Sequence, residues 1–204
     1  SIRLPSHLNV AFVNELPPEK SAWIMSHDRG REYLERHMPD KVTTRVYNID
    51  AEHDADALID AAAADGAQVI FATTPRLISA CRKAAVKHPN IKILNCSVSM
   101  PFPGVRTYYS RVYEGKFISG AVAGAMTKTG RIGYIASSPI YGVPAGINAF
   151  ALGALLTNPD IKICLRWSSV SEDPISELKA LGVDMISNRD VPSPEQPQDA
   201  WGLC

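Results

Sequence analysis

The apolar positions of this chain fall into short blocks separated by amphipathic stretches, and the two kinds of segment alternate. Residues 8–13 form a compact apolar run closed by Asn14, Glu15, Leu16 and two prolines, which predicts a first strand. Residues 21–37 follow with loose helical periodicity carried by Trp23, Met25, Tyr33 and Leu34, so one face of that helix is expected to border a cleft. Residues 42–49 alternate Val42, Thr44 and Val46 against Thr43, Arg45 and Tyr47, the period of a strand. A helix over 54–64 closes at Asp65-Gly66. Residues 69–73 form an apolar strand of the kind covered on both faces. Pro75 opens a helix that runs to about His88 and stops before Pro89. Strands at 91–95 and 105–109 complete a β-α-β-α-β-α-β-β series, the pattern of a parallel sheet flanked by helices.

After Ser110 the pattern restarts. It predicts a helix over 111–127, a strand over 131–136, a helix over 145–156, a strand over 161–167, a helix over 174–181 and a strand over 183–187. The first of these helices carries Gly120, Ala121, Ala123, Gly124 and Ala125. Such a run lets a helix approach a neighbouring backbone, although each mid-helix glycine costs about 0.5–1 kcal/mol relative to alanine. The stretch 191–197, Val-Pro-Ser-Pro-Glu-Gln-Pro, breaks regular structure. The expected fold class is therefore α/β, with two Rossmann-like lobes, 1–110 and 111–204.

Composition narrows the function classes. The chain has 204 residues, 46% of them hydrophobic, enough for one large domain or two small lobes. Lys and Arg number 21 and so do Asp and Glu; no basic stripe points to nucleic acid. No run of about 18 apolar residues is present to cross a membrane, and no signal peptide is visible at Ser1. Cys81, Cys96, Cys164 and Cys204 have no metal-ligand spacing and read as small buried hydrophobes. Four unpaired thiols lean toward a cytoplasmic setting. Asp50, Glu52, His53, Asp54 and Asp56 read as the acidic start of a helix rather than a metal cluster. No cofactor or metal is expected. Phosphate-loop, nucleophile-elbow and HExxH motifs are absent, so nothing points to catalysis.

In open parallel sheets, ligands bind beyond the carboxyl ends of the strands. That rule nominates Asn14-Glu15, Thr73-Thr74 and Cys96-Ser97 in the first lobe, and Ser137-Ser138, Trp167-Ser168 and Ser187-Asn188 in the second. Small hydroxyls and amides with a few aromatics suit a polar neutral ligand. Trp23 either stacks on that ligand or packs its helix; Tyr109 either reaches it or packs the lobe crossing; Tyr141 sits in a Gly/Pro loop. The candidate ligand-binding residues are Trp23, Thr73, Thr74, Tyr109, Ser137, Tyr141, Trp167 and Asn188.

YEGKFISGAVAGAMTKTGRIGYIA at 113–136 and INAFALGALLTNPDI at 147–161 resemble the signature of the basic membrane protein family, and WIMSHDRGREYLE at 23–35 resembles one branch of it. These are solute-binding lipoproteins of bacterial ABC import systems, many of them purine-nucleoside binders, with the type I periplasmic-binding fold. The resemblance covers nearly the whole chain. It implies two lobes that close on a small polar molecule, a membrane permease as partner, and an extracytoplasmic location. Many relatives carry Asp-Lys-Ser-Phe-Asn near the first helix; this chain has Glu19-Lys20-Ser21-Ala22-Trp23, so Trp23 would stand in for the stacking ring. By the same resemblance the family chain continues past the point matching Cys204 and completes both sheets, so either the second lobe is incomplete here, with an open strand edge, or this chain departs from the family. Two other classes remain at this point: an intracellular ligand-sensing domain of a larger protein, and a nucleoside-acting enzyme.

Overall fold

The computed structural model describes residues 6–98, 101–140 and 142–204. The chain divides into two compact units, Ser1–Tyr109 with Ser193–Glu195, and Ser110–Pro192 with Gln196–Cys204.

In the first unit, β1 (Leu8–Asn14), β2 (Val42–Asn48), β3 (Val69–Ala72), β4 (Lys92–Cys96) and β5 (Val105–Tyr108) form one parallel sheet in the order β2-β1-β3-β4-β5. The helices are α1 (Ala22–His37), α2 (Ala55–Ala64) and α3 (Ile78–Lys87). The apolar runs are apolar because both sheet faces are covered. Ala11, Val13, Ile70 and Ile93 pack with Ile59, Ala62, Cys81 and Ala84 of α2 and α3, while Val10 and Phe12 pack with Leu34 of α1 and Phe71. Ser21 caps α1 and Asp54 caps α2, each accepting from the backbone N–H three residues on. Asp50 accepts from the N–H groups of Glu52 and His53, and Asp56 pairs with Lys83 at 2.7 Å, so the acidic run 50–56 is spent on starting α2 and tying it to α3. The helix expected from Pro75 onward is two pieces, a 3-10 turn at Pro75–Leu77 and then α3. Burial pushes the Cys81 thiol up to about 12 and the Cys96 thiol up to about 11, so both stay protonated.

The second unit contains α4 (Val112–Met126), β6 (Arg131–Ala136), α5 (Val143–Thr157), β7 (Lys162–Trp167), α6 (Pro174–Ala180) and β8 (Met185–Ser187). Its three strands are parallel, in the order β7-β6-β8. Ile132, Tyr134 and Ala136 point to one side of β6 and pack on Ala123, Phe150 and Ala154 of α4 and α5. Gly133 points to the other side, toward Leu178 of α6. The unit is thus helix, sheet, helix. α5 starts at Val143, earlier than the pattern predicts, because Pro144 is tolerated in a first turn and Gly142 supplies φ 79° just before it.

The expected open edge at β8 is occupied. Ile186 exchanges two backbone hydrogen bonds with Cys204, at 2.6 and 3.0 Å, and Asn188 N–H donates to Gly202 O at 2.9 Å. The chain after the proline-rich stretch therefore returns antiparallel along β8. Cys204 is exposed and Cys164 half-buried, so only Cys81 and Cys96 fit the reading of cysteines as buried hydrophobes.

The α4–α5 contact is backbone on backbone. A Cβ on Gly120 would fall 2.0 Å from Phe150 O, one on Gly153 2.0 Å from Phe117 O, and one on Gly124 2.5 Å from Ala154 O. Backbone cannot give way as a side-chain tip can. We expect Gly120→Ala or Gly153→Ala to cost about 2–4 kcal/mol in urea unfolding, as overpacking does. A Cβ on Gly115, in the same helix, meets nothing within 4 Å, and Gly115→Ala is expected to be neutral or stabilising by up to about 1 kcal/mol. Equal costs at Gly115 and Gly120 would remove the close-approach account.

Candidate functional site

The order β2-β1-β3 places a topological switch point between β1 and β3, and the groups at their carboxyl ends converge there. Asn14 ends β1 and is buried. Its Nδ2 donates to Asn48 Oδ1 at 3.0 Å, and its Oδ1 accepts from Thr73 Oγ1 at 2.7 Å. Trp23, near the start of α1, donates its indole N–H to Thr73 O at 2.8 Å. Its ring lies 5.8 Å from that of Tyr109 and 5.7 Å from that of His27. The indole is half-buried, so one edge is fixed while part of its surface stays open.

His27 sits between two partners that set its tautomer. Nδ1 lies 3.0 Å from Trp23 O, a carbonyl that can only accept, so Nδ1 carries the proton. Nε2 then accepts from the Tyr108 hydroxyl at 2.9 Å. Cys96 also hydrogen-bonds Tyr108, and burial raises the Tyr108 hydroxyl above its ordinary value. Burial likewise holds the His27 imidazole below 6.5, against the Trp23 carbonyl, which favours the charged form.

Beside this frame, among the described residues, two buried polar atoms lack a hydrogen-bond partner, Thr74 Oγ1 and Asn95 Oδ1. Asn95 donates its Nδ2 to Ala72 O and Thr74 O, at 3.2 and 2.8 Å, which fixes the amide and leaves its oxygen unspent. A third such atom, Arg131 Nε, belongs to the second unit. An unsatisfied buried polar group costs about 1–3 kcal/mol, so the pair makes these strand ends a candidate place for a polar ligand. A separate cavity of about 120 Å³, lined by Asn9, Arg45 and Tyr47 among others, lies away from the carboxyl ends. Its polar groups are paired with each other through Asp65, so it is a poorer candidate.

The second unit repeats the 2-1-3 strand order, with its own switch point between β6 and β8. Lys116, in the second turn of α4, is buried there. Its Nζ donates to Ser187 Oγ at 3.1 Å, pairs with Asp190 at 2.5 Å and lies 5.1 Å from the centre of the Tyr134 ring. An open depression of about 370 Å³, lined by Ser110, Arg111, Ser119 and Asp190 among others, reaches it. Lys116 lies within the 113–136 signature, which assigns it no role. The signal was its place on the stripe 116, 120, 123, 124, which is otherwise all glycine and alanine: a cation on a buried stripe requires partners.

The nominated residues fare unequally. Trp23 and Thr74 lie at the first switch point, and the Tyr109 ring, after β5, lies against Trp23. Thr73 is wholly buried and its hydroxyl is donated inward to Asn14 and Val13 O, so it positions Asn14 and Trp23 and has no proton left for a ligand. Asn188 is engaged within the chain likewise: Nδ2 donates to Ala200 O and Oδ1 accepts from Arg189 N–H, which ties down the returning C-terminal segment. Trp167 is half-buried against the core of the second unit. Ser137, after β6, is exposed. Tyr141 lies outside the described residues. Among the described residues, no three His, Cys, Asp or Glu side chains are grouped to hold a metal ion.

The model of the family described as Bmp, ABC transporter substrate-binding protein PnrA-like, matches residues 8–188. The chain belongs to the Bmp family. A purine-binding protein of Brucella abortus is 35% identical over 187 residues, covering 88% of this chain and 53% of that protein. A putative ABC transporter glucose-binding protein of Haloferax volcanii is 28% identical, covering 95% and 49%. The chain thus spans about half the length of these curated relatives. An ABC transporter solute-binding protein from Conexibacter woesei superposes with a TM-score of 0.68 at 15% identity, over 88% of this chain and 63% of that one. This last likeness shows the fold: parallel sheets flanked by helices, as in ABC solute-binding proteins.

His27 generates a prediction in this Bmp chain. The unfolded chain takes up a proton near pH 6.5 and the folded one only at lower pH, so stability is full above 6.5 and is lost as pH falls through the folded value. Asp184 acts in a lower window: burial opposes its ionisation, but hydrogen bonds from Thr127, Lys128 and Thr129 win and hold it at about 2. The melting temperature should therefore fall between pH 7.5 and 5.5, and His27→Gln should flatten that slope. An unchanged slope in the variant would clear His27 of the effect.

Proposed function

We propose that this chain is a non-catalytic solute-binding protein that takes a purine nucleoside or nucleobase and hands it to the permease of an ABC importer outside the cytoplasm. The observation that carries the reading is the indole of Trp23, pinned to Thr73 O beside the unsatisfied Thr74 Oγ1 and Asn95 Oδ1. A pinned aromatic offers a planar base a stacking surface at little ordering cost. Asn95 Oδ1 accepts only, so it suits the amino or ring N–H of a base; the Thr74 hydroxyl both donates and accepts and suits a base edge or a ribose. The Brucella relative, described as purine-binding, supports the purine over other planar solutes. Family membership supports the permease partner and the location. The same membership argues against the intracellular-sensor and enzyme readings.

Calorimetry with adenosine, guanosine, inosine, hypoxanthine, uridine and glucose tests this. A purine is expected to bind. Trp23→Ala should weaken it at least tenfold, since stacking on an aromatic contributes about 1–3 kcal/mol per base. Thr74→Val should weaken it about fivefold while leaving the melting temperature of the free protein unchanged or higher, because it removes a hydroxyl that has no partner. Heat from glucose and none from any purine would replace the purine reading with a sugar one.

A further inference from the structure

α5 has no charged residue in fifteen positions, and α4 carries only Glu114 and Lys116, of which Lys116 is buried. A helix that is apolar all round is a buried helix. In the second unit each buries one side only. α4 turns Gly120, Ala123 and Gly124 inward, and α5 turns Gly146, Phe150, Gly153 and Ala154 inward. Their outward sides carry Ile118, Val122, Met126, Leu152, Leu155 and Leu156, exposed by 43 to 71%. No charged group interrupts the two rows. These six side chains expose on the order of 600 Å², the upper end for the largest apolar patch of a monomer and most of the roughly 800 Å² that one partner gives to a standard interface.

We propose that this face is the interface of a homodimer, in which α4 and α5 of one copy pack on α4 and α5 of a second copy about a twofold axis. Three observations select that occupant. The face is the outside of a helix–sheet–helix unit, and domains of this class are built from two or three layers, so no further layer of the same fold is expected over it. Its area supplies most of what one copy gives to a twofold, self-complementary contact. Its lack of charge gives a second copy nothing to repel, and gives a nucleic acid or a charged peptide nothing to hold. Dimerisation through the β8 edge is closed off, since residues 202–204 already occupy that edge.

Sedimentation velocity on the chain at about 50 µM is expected to give twice the monomer mass, with Ile118→Glu/Leu156→Glu reduced to monomer at the same concentration and an unchanged far-UV spectrum. A second readout uses the wild-type protein. Met126 lies on the proposed interface and is 62% exposed, while Met38, 44% exposed, lies in the first unit. Peroxide oxidation of Met126 relative to Met38, followed by mass spectrometry, should slow at least fivefold between 0.5 and 50 µM protein. Wild-type monomer at 50 µM overturns the proposal. So do a dimer that survives both substitutions, oxidation of Met126 independent of concentration, and a monomer that co-sediments with phosphatidylcholine vesicles, which would assign the face to a lipid surface.

Discussion

The second unit depends on the absence of side chains at three positions. Gly120, Gly124 and Gly153 let α4 and α5 meet backbone to backbone, closer than any residue with a Cβ allows. That distance sets where everything else on the two helices falls. Lys116 lies one turn before Gly120, so the contact that seats Gly120 on Phe150 also carries the Lys116 ammonium to Tyr134 and Ser187. Gly146 gives room from the other side, since a Cβ there would come within 3.3 Å of the Tyr134 hydroxyl. The small-residue run accepts a loss of helix propensity of about 1 kcal/mol per glycine in return for an approach that places a buried cation at the carboxyl ends of the strands.

The two units share a strand order and use their switch points differently. In the second, the polar groups answer one another: Lys116 has Ser187 and Asp190, and Asn188 is spent on Ala200 and Arg189. In the first, the frame of Asn14, Thr73, Trp23, His27 and Tyr108 is internally bonded, while Thr74 Oγ1 and Asn95 Oδ1 stand beside it without partners. A fully satisfied network rigidifies, and the unsatisfied pair beside it is where the proposed ligand would gain hydrogen bonds. His27 is the point where that rigidity responds to pH. Protonation removes the acceptor of the Tyr108 hydroxyl and places a charge where burial disfavours it.

What was legible in the sequence follows from what periodicity encodes. Strands buried on both faces must be apolar along their length, so β1 and β3 announce themselves, and the alternation of strand and helix fixes the fold class. The strand order, and with it the switch points, depends on pairings between distant segments that no local pattern records. The return of residues 202–204 along β8 is of the same kind: nothing in Gly202-Leu203-Cys204 names Ile186 as partner. Signals that were present but unread are the cation on the buried stripe of α4 and the uncharged α5, both visible on a helical projection.

The site shows the same division at finer scale. The rule that ligands gather at carboxyl ends found Thr73 and Thr74 together, but it does not separate them, because adjacent residues leaving a strand point in different directions. Thr73 turns its hydroxyl back to Asn14 and Val13, where a second backbone–side-chain link closes the end of the sheet. Thr74 turns its hydroxyl to a place where none of the described residues answers. A rule of position selects the segment, and only the direction of each side chain selects the residue. The proposed binding chemistry therefore rests on a distinction between neighbours of identical type, which composition and motif are blind to by construction.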